Sequence, residues 1–136
     1  MIDVTEDLKI VGIRSAPSPK TVIQEITRYN LLPGGGSKVI ATRAALLKAG
    51  PFERDLYNTE DWEMWIRLAK HGAPAALEAP SPGVYRVHPH NASLGIKEIL
   101  AGVSWIERRH GTRADRASYI AGSRNLPLRT GKRGAR

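Results

Sequence analysis

The chain contains no cysteine, which excludes disulfides, thiolate metal sites and cysteine nucleophiles at once. That absence suits a reducing compartment. No apolar run approaches the roughly 20 residues that span a bilayer. The opening residues, Met1-Ile2-Asp3-Val4-Thr5-Glu6-Asp7, are acidic and lack the charged-then-apolar order of a signal peptide. Together these absences predict a soluble, cytoplasmic protein. Acidic residues run short only near the end. Residues 107–136 hold nine Lys/Arg and two Asp/Glu, against twelve and eleven in residues 1–106. The formal charge of +8 therefore belongs to a basic tail. Such a tail is usually solvated or flexible, and it could touch anionic lipid or nucleic acid without specifying either.

What is present is enough for one modest domain, with 136 residues able to bury a real core but not two. Residues 1–20 read as irregular, with one short strand at Ile10-Val11-Gly12-Ile13, and Ala16-Pro17-Ser18-Pro19 breaks the chain. Val22, Ile23 and Ile26 give residues 21–29 a short helical pattern. After the glycine turn Gly34-Gly35-Gly36-Ser37, Val39-Ile40-Ala41 reads as a strand. Thr42 is placed to cap a helix over 43–49, which Gly50-Pro51 ends. Trp62, Trp65, Ile66 and Ala69 form a core-facing stripe on a helix that Gly72 stops. Short strands are predicted at 75–78 and 84–87, around the turn Pro80-Ser81-Pro82-Gly83. Ile96, Ile99, Leu100, Val103 and Ile106 fall in phase on a last helix ending near Gly111. This order suggests an α/β unit whose helix stripes cover a sheet.

Three polar clusters can carry chemistry. Thr59-Glu60-Asp61 stands at the start of an amphipathic helix, where backbone N–H groups and the helix dipole favour an ionised carboxylate. Such a carboxylate can take a proton from a hydroxyl, or can merely complement the dipole. The glycine turn can lie against a sugar or phosphate, or can be an ordinary turn. Arg86, His88, His90, Asn91 and Ser93 combine phosphate- and metal-binding residue types. The same loop can be a capped turn, with Asn91 or Ser93 as N-cap of the next helix.

In order and spacing the three clusters resemble one family. Gly34-Gly35-Gly36-Ser37 with Arg43 and Leu46-Leu47, Gly50-Pro51-Phe52, the run Thr59-Glu60-Asp61-Trp62-Glu63-Met64-Trp65-Ile66-Arg67-Leu68, and Tyr85-Arg86-Val87-His88 with Asn91-Ala92-Ser93 are together similar to the C-terminal half of family 2 glycosyltransferases. The resemblance covers about residues 33–110, and divides the chain into a 1–32 N-terminal segment, a 33–111 glycosyltransferase-like region and a 112–136 basic tail. It implies a partial GT-A-like, Rossmann-like α/β domain lacking the nucleotide-binding half. By the same resemblance Asp61 is the general base of an inverting sugar transfer from a nucleotide sugar to a glycan or lipid-linked acceptor. Glu60 assists it by orienting the loop or acceptor. Gly35, Gly36, Ser37, Trp62, Arg86 and Ser93 are assigned to substrate, and His88 to a divalent cation, Mg2+ or Mn2+. The place implied is cell-surface glycan synthesis, in the cytoplasm or peripherally at the inner face of the membrane.

One departure bears on activity. The family holds its metal and diphosphate through an Asp-X-Asp motif, and no Asp-X-Asp occurs in this chain. His88 alone cannot supply the several oxygen ligands a hard cation prefers. The expectation is a transferase segment without activity by itself, whose missing N-terminal half is a candidate partner. A non-catalytic remnant that binds a glycosyltransferase or glycan, and a small basic nucleic-acid-binding protein, are the competing readings. The last is weakened because the charge lies in the tail and the Trp residues lie on helix stripes. No specific nucleic-acid binding is expected.

Overall fold

A computed structural model describes residues 1–32, 35–77, 83–117 and 120, with the backbone alone at Gly35 and Ser93. Its described residues form a mixed α/β structure. In chain order these are β1 (Ile2–Val4), β2 (Ile10–Ile13), α1 (Pro19–Glu25), a 3-10 turn (Gly35–Lys38), α2 (Arg43–Ala49), α3 (Glu60–His71), β3 (Val84–Arg86), a second 3-10 turn (Ala92–Leu94) and α4 (Ile96–His110). The strands make one sheet in the order β2-β1-β3, with β1 antiparallel to β2 and parallel to β3.

Local chemistry accounts for the helix ends. Ser18 accepts from the Thr21 N–H, and Pro19 occupies the first turn of α1, where its missing N–H is no loss. The proline pair read as a break is thus the start of a helix. Thr42 accepts from the Ala45 N–H at 3.2 Å and caps α2, while Gly50, at φ 85°, ends it. Gly111, at φ 62°, closes α4 in the left-handed region. Asn91 holds the N-cap position of the second 3-10 turn but turns its side chain back to the preceding loop, and the N-cap of α4 itself is Gly95, not Asn91 or Ser93. Residues 39–41 and 75–77 form no strand. The proposed strand position Glu78, the turn residues 80–82, and tail residues 118–119 and 121–136 lie outside the described residues.

The core is made by helices. Val22, Ile26, Leu56, Trp62, Met64, Trp65, Ile66, Val103, Ile106 and Ala114 pack as one cluster. Fully burying each large apolar side chain contributes about 1.5–3 kcal/mol. The helix stripes meet one another instead of the expected sheet. From the strands and their ends only Val4 and Val87 join the buried apolar set, while Ile10, Ile13 and Val84 are exposed. α3 and α4 run in the same sense, with Thr59 at the start of α3 against Gly102 in the middle of α4, and Lys70 in the last turn of α3 joined to His110 at the end of α4.

One charge sits inside this core. Glu63 is fully buried and takes the Arg67 Nε–H at 2.9 and 2.8 Å on its two oxygens. Arg67 also donates to the Ala49 carbonyl and, at 2.8 Å, to that of Pro51. One guanidinium therefore neutralises the glutamate and satisfies carbonyls left open at the end of α2. On the other side His110 Nε2 lies 3.0 Å from Glu63, and His110 Nδ1 lies 2.9 Å from Lys70 Nζ. An ammonium only donates and an ionised carboxylate only accepts. Nδ1 therefore accepts from Lys70, and Nε2 carries the proton given to Glu63.

Candidate functional site at the start of helix α3

Asp61 lies in the first turn of α3, half-buried, beside Glu60. Its Oδ1 accepts the Trp62 backbone N–H at 2.6 Å and approaches Asn30 Nδ2 at 3.5 Å. Among the described residues its Oδ2 accepts no hydrogen bond. Burial pushes the Asp61 carboxyl above the usual aspartate value; the Trp62 N–H opposes this, and the neighbouring Glu60 charge adds to it. Desolvation thus outweighs the N–H bonds that the helix start supplies. Glu60 is half-buried, with Oε2 enclosed and unpartnered. Thr59 points its hydroxyl at α4 and makes no side-chain cap.

The other two clusters converge on this helix start. Gly35, Gly36 and Ser37 belong to the first 3-10 turn, which packs against α3, and Gly36 and Ser37 are exposed. At the end of that turn the Lys38 side chain lies where a side chain on Gly83 would stand. Gly83 leads into β3, which delivers Arg86 and His88. Asn58, at φ 65°, donates to the Ala92 carbonyl at 3.0 Å, tying the segment before Asp61 to the loop after His88.

Asn91 organises that loop. Its Oδ1 accepts the His88 N–H at 2.5 Å, and its Nδ2 donates to the Tyr85 hydroxyl at 3.1 Å and the Arg86 carbonyl at 3.3 Å. His88 is half-buried, and its Nδ1 accepts the His90 N–H at 3.2 Å. Nε2 is left as the nitrogen that can face a ligand. Arg86 is exposed. Ser93 has its backbone in the second 3-10 turn, and its side chain lies outside the description.

Trp62 takes a different place from the one expected. It has no exposed surface, and its Nε1–H donates to the Ile26 carbonyl at 2.5 Å. It is a core residue that joins α3 to the end of α1, out of reach of a substrate. Asn30 and Asn58, which set the position of Asp61 and its segment, carry no spacing signal in the sequence, whereas Asn91, which fixes His88, belongs to the polar cluster the sequence displays. The Glu63–Arg67 pair does carry one, an acid and a base four apart on a helix.

No family model, no curated protein and no solved structure matches the chain. What the arrangement can do rests on its own chemistry. It offers one carboxylate with a raised pKa and one oxygen that no other described residue donates to, a glycine turn packed on the same helix, and a His/Arg loop tied to the segment before it. A metal centre does not fit the side chains at hand: the described residues hold no group of three or more His, Asp or Glu able to ligate an ion. A metal role for His88 needs donors from outside them.

Proposed function

We propose that this chain is the acceptor-side segment of a nucleotide-sugar glycosyltransferase of GT-A-like fold, with Asp61 as the group that receives the acceptor hydroxyl proton. The observation that carries the reading is the asymmetry of Asp61. Oδ1 is fixed by a backbone N–H and faces Asn30, while Oδ2 has no partner among the described residues. A base needs one oxygen held and the other open, and a pKa raised toward the working pH strengthens it. In that role Oδ2 accepts the hydroxyl proton as the acceptor oxygen attacks the anomeric carbon and the nucleoside diphosphate leaves. Glu60 orients the acceptor; Gly36 and Ser37 offer backbone and hydroxyl to a sugar. Arg86 and His88 would serve the diphosphate. Trp62 supports the site through the core.

The absence of Asp-X-Asp supports acceptor binding without turnover by the polypeptide alone. The test is a saccharide panel titrated against the full chain by NMR, with nucleoside diphosphate release followed in parallel. Acceptor binding that weakens about tenfold or more in Asp61→Asn, the loss of a charged hydrogen bond, is expected, without sugar transfer. A panel that binds nowhere, or binds equally well to Asp61→Asn, would overturn the role of Asp61.

A further inference from the structure

The His88 ring is held by a turn that decides which of its nitrogens carries the proton. His88, Pro89, His90 and Asn91 form a tight turn in which the Asn91 N–H reaches the His88 carbonyl at 3.1 Å, and proline suits the second position of such a turn. The turn aims the His90 N–H at His88 Nδ1, 3.2 Å away. A ring nitrogen that accepts an N–H is unprotonated, so neutral His88 carries its proton on Nε2. Among the described residues Nε2 makes no hydrogen bond.

That tautomer does not suit a cation. A metal-bound imidazole nitrogen is unprotonated, and the other ring nitrogen donates its N–H to a carbonyl or carboxylate. In His88 the other nitrogen meets a donor. Neither atom can ligate without breaking the turn, because Nδ1 is taken and Nε2 is protonated. The Nε2–H can instead donate to an anionic oxygen. Arg86, exposed two residues earlier, is a cation of the kind that phosphates select.

The frame behind the ring begins in the N-terminal hairpin. Asp3 on β1 stands opposite both Gly12 on β2 and Tyr85 on β3. Its carboxylate takes Arg14 Nη2 at 2.6 Å, and that guanidinium lies over the Tyr85 ring, with Cζ 5.4 Å from the centroid. The Tyr85 hydroxyl accepts from Asn91, whose Oδ1 holds the His88 N–H. We infer that His88 is a hydrogen-bond donor to a phosphate oxygen and not a ligand of a divalent cation, with Arg14 as the residue that positions it. Assigning that phosphate to a nucleoside diphosphate rests on the transferase reading; the tautomer and its frame do not.

The test is NMR of the full chain with inorganic pyrophosphate in EDTA and, separately, with Mn2+ alone. At about pH 8, where an ordinary imidazole is neutral, nitrogen shifts should place the His88 proton on Nε2, and pyrophosphate should move that nitrogen. His88→Gln, whose amide sets an N–H near the Nε2 position, should keep most of the pyrophosphate affinity read at the Arg86 amide. His88→Ala should lose about tenfold, the effect of one charged hydrogen bond. Arg14→Ala should mix the two tautomers and weaken pyrophosphate binding, and Arg14→Lys should restore both. A proton on Nδ1, selective broadening of His88 by Mn2+ alone, no response of His88 to pyrophosphate, or equal loss in His88→Gln and His88→Ala overturns the donor role. Wild-type spectra and affinity in Arg14→Ala overturn its positioning role. None of these readouts involves Asp61 or a saccharide, so failure of the acceptor titration is told apart from failure here.

Discussion

A methyl group on Gly102 would stand 3.0 Å from both Cβ and Cγ2 of Thr59, and closer still to its hydroxyl. Glycine at 102 is therefore what lets α4 lie against the start of α3, where Asp61 is placed. Gly102→Ala should cost about 1–3 kcal/mol, the usual range for overpacking a filled site. Thr59→Ala in the same chain should recover part of that loss, since Oγ1 and Cγ2 are removed. Urea unfolding of the two single variants and the double variant measures the coupling; strict additivity would count against the contact.

Asp61→Asn should stabilise the protein at neutral pH. The folded-state pKa is raised by burial, so the folded state binds more protons than the unfolded one between 3.8 and its own pKa. Stability is then lost as pH rises through that interval, and ionised Asp61 is a net burden above it. Asparagine keeps an oxygen for the Trp62 N–H and has no charge to desolvate. A higher melting temperature at pH 7, with the difference from wild type shrinking toward pH 4, is the expected result.

His110 gives the opposite pH dependence. Burial lowers its pKa below 6.5, Glu63 opposes this, and Lys70 and Arg109 add to the lowering. The unfolded chain then binds the extra proton first. Stability falls as pH drops from about 6.5 toward the folded pKa and is intact above 6.5. A proton on Nδ1 would also set two donors face to face at Lys70. His110→Gln should flatten this part of the stability profile in a urea series across pH 5 to 8.

Glu63→Ala should be the most damaging of these changes, by about 3–5 kcal/mol, because it leaves the Arg67 charge without its partner in the interior. Glu63→Ala/Arg67→Met should recover much of the loss by removing that charge, although the Ala49 and Pro51 carbonyls lose their donor. Calorimetry of both variants separates the buried charge from the lost carbonyl bonds.

Asn91→Ala should loosen the His88 loop while sparing the core. It removes an acceptor from the His88 N–H and a donor from Tyr85 and Arg86. A loss of about 1–2 kcal/mol should accompany faster amide exchange at His88, with exchange at Ile66 and Ile106 scaled only by the global change.

The helices were legible in the sequence because each carries its instructions locally. Thr42 and Gly50 bound α2, Gly72 stops α3, and the phase of Ile96 to Ile106 defines α4. The sheet was less legible. β1 is three residues long, and besides its neighbour β2 it pairs with β3 far along the chain, which no local pattern records. Trp62 was misplaced since a motif does not say which face is buried; its stripe partners Trp65 and Ile66 pointed to the core. Asp61 was found from its place at a helix start, but its raised pKa depends on burial and on Asn30, contacts the sequence does not display. The i, i+4 spacing of Glu63 and Arg67 was visible in the sequence, but not that Glu63 is fully buried.

The parallel pair of β1 with β3 sets an order on the birth of the molecule. β1 finds its partner β3 only when Val84 has followed Ile2, closing a loop of about eighty residues whose entropy must first be overcome. α1 and α2 need no such wait. The nascent chain should therefore hold helices and the β1–β2 hairpin, with the β3-facing edge of β1 open, for several seconds at ordinary synthesis rates of about 5–20 residues per second. During that interval Ile10 and Ile13, exposed even in the finished fold, make the β1–β2 hairpin the segment that a chaperone or a neighbouring chain meets first.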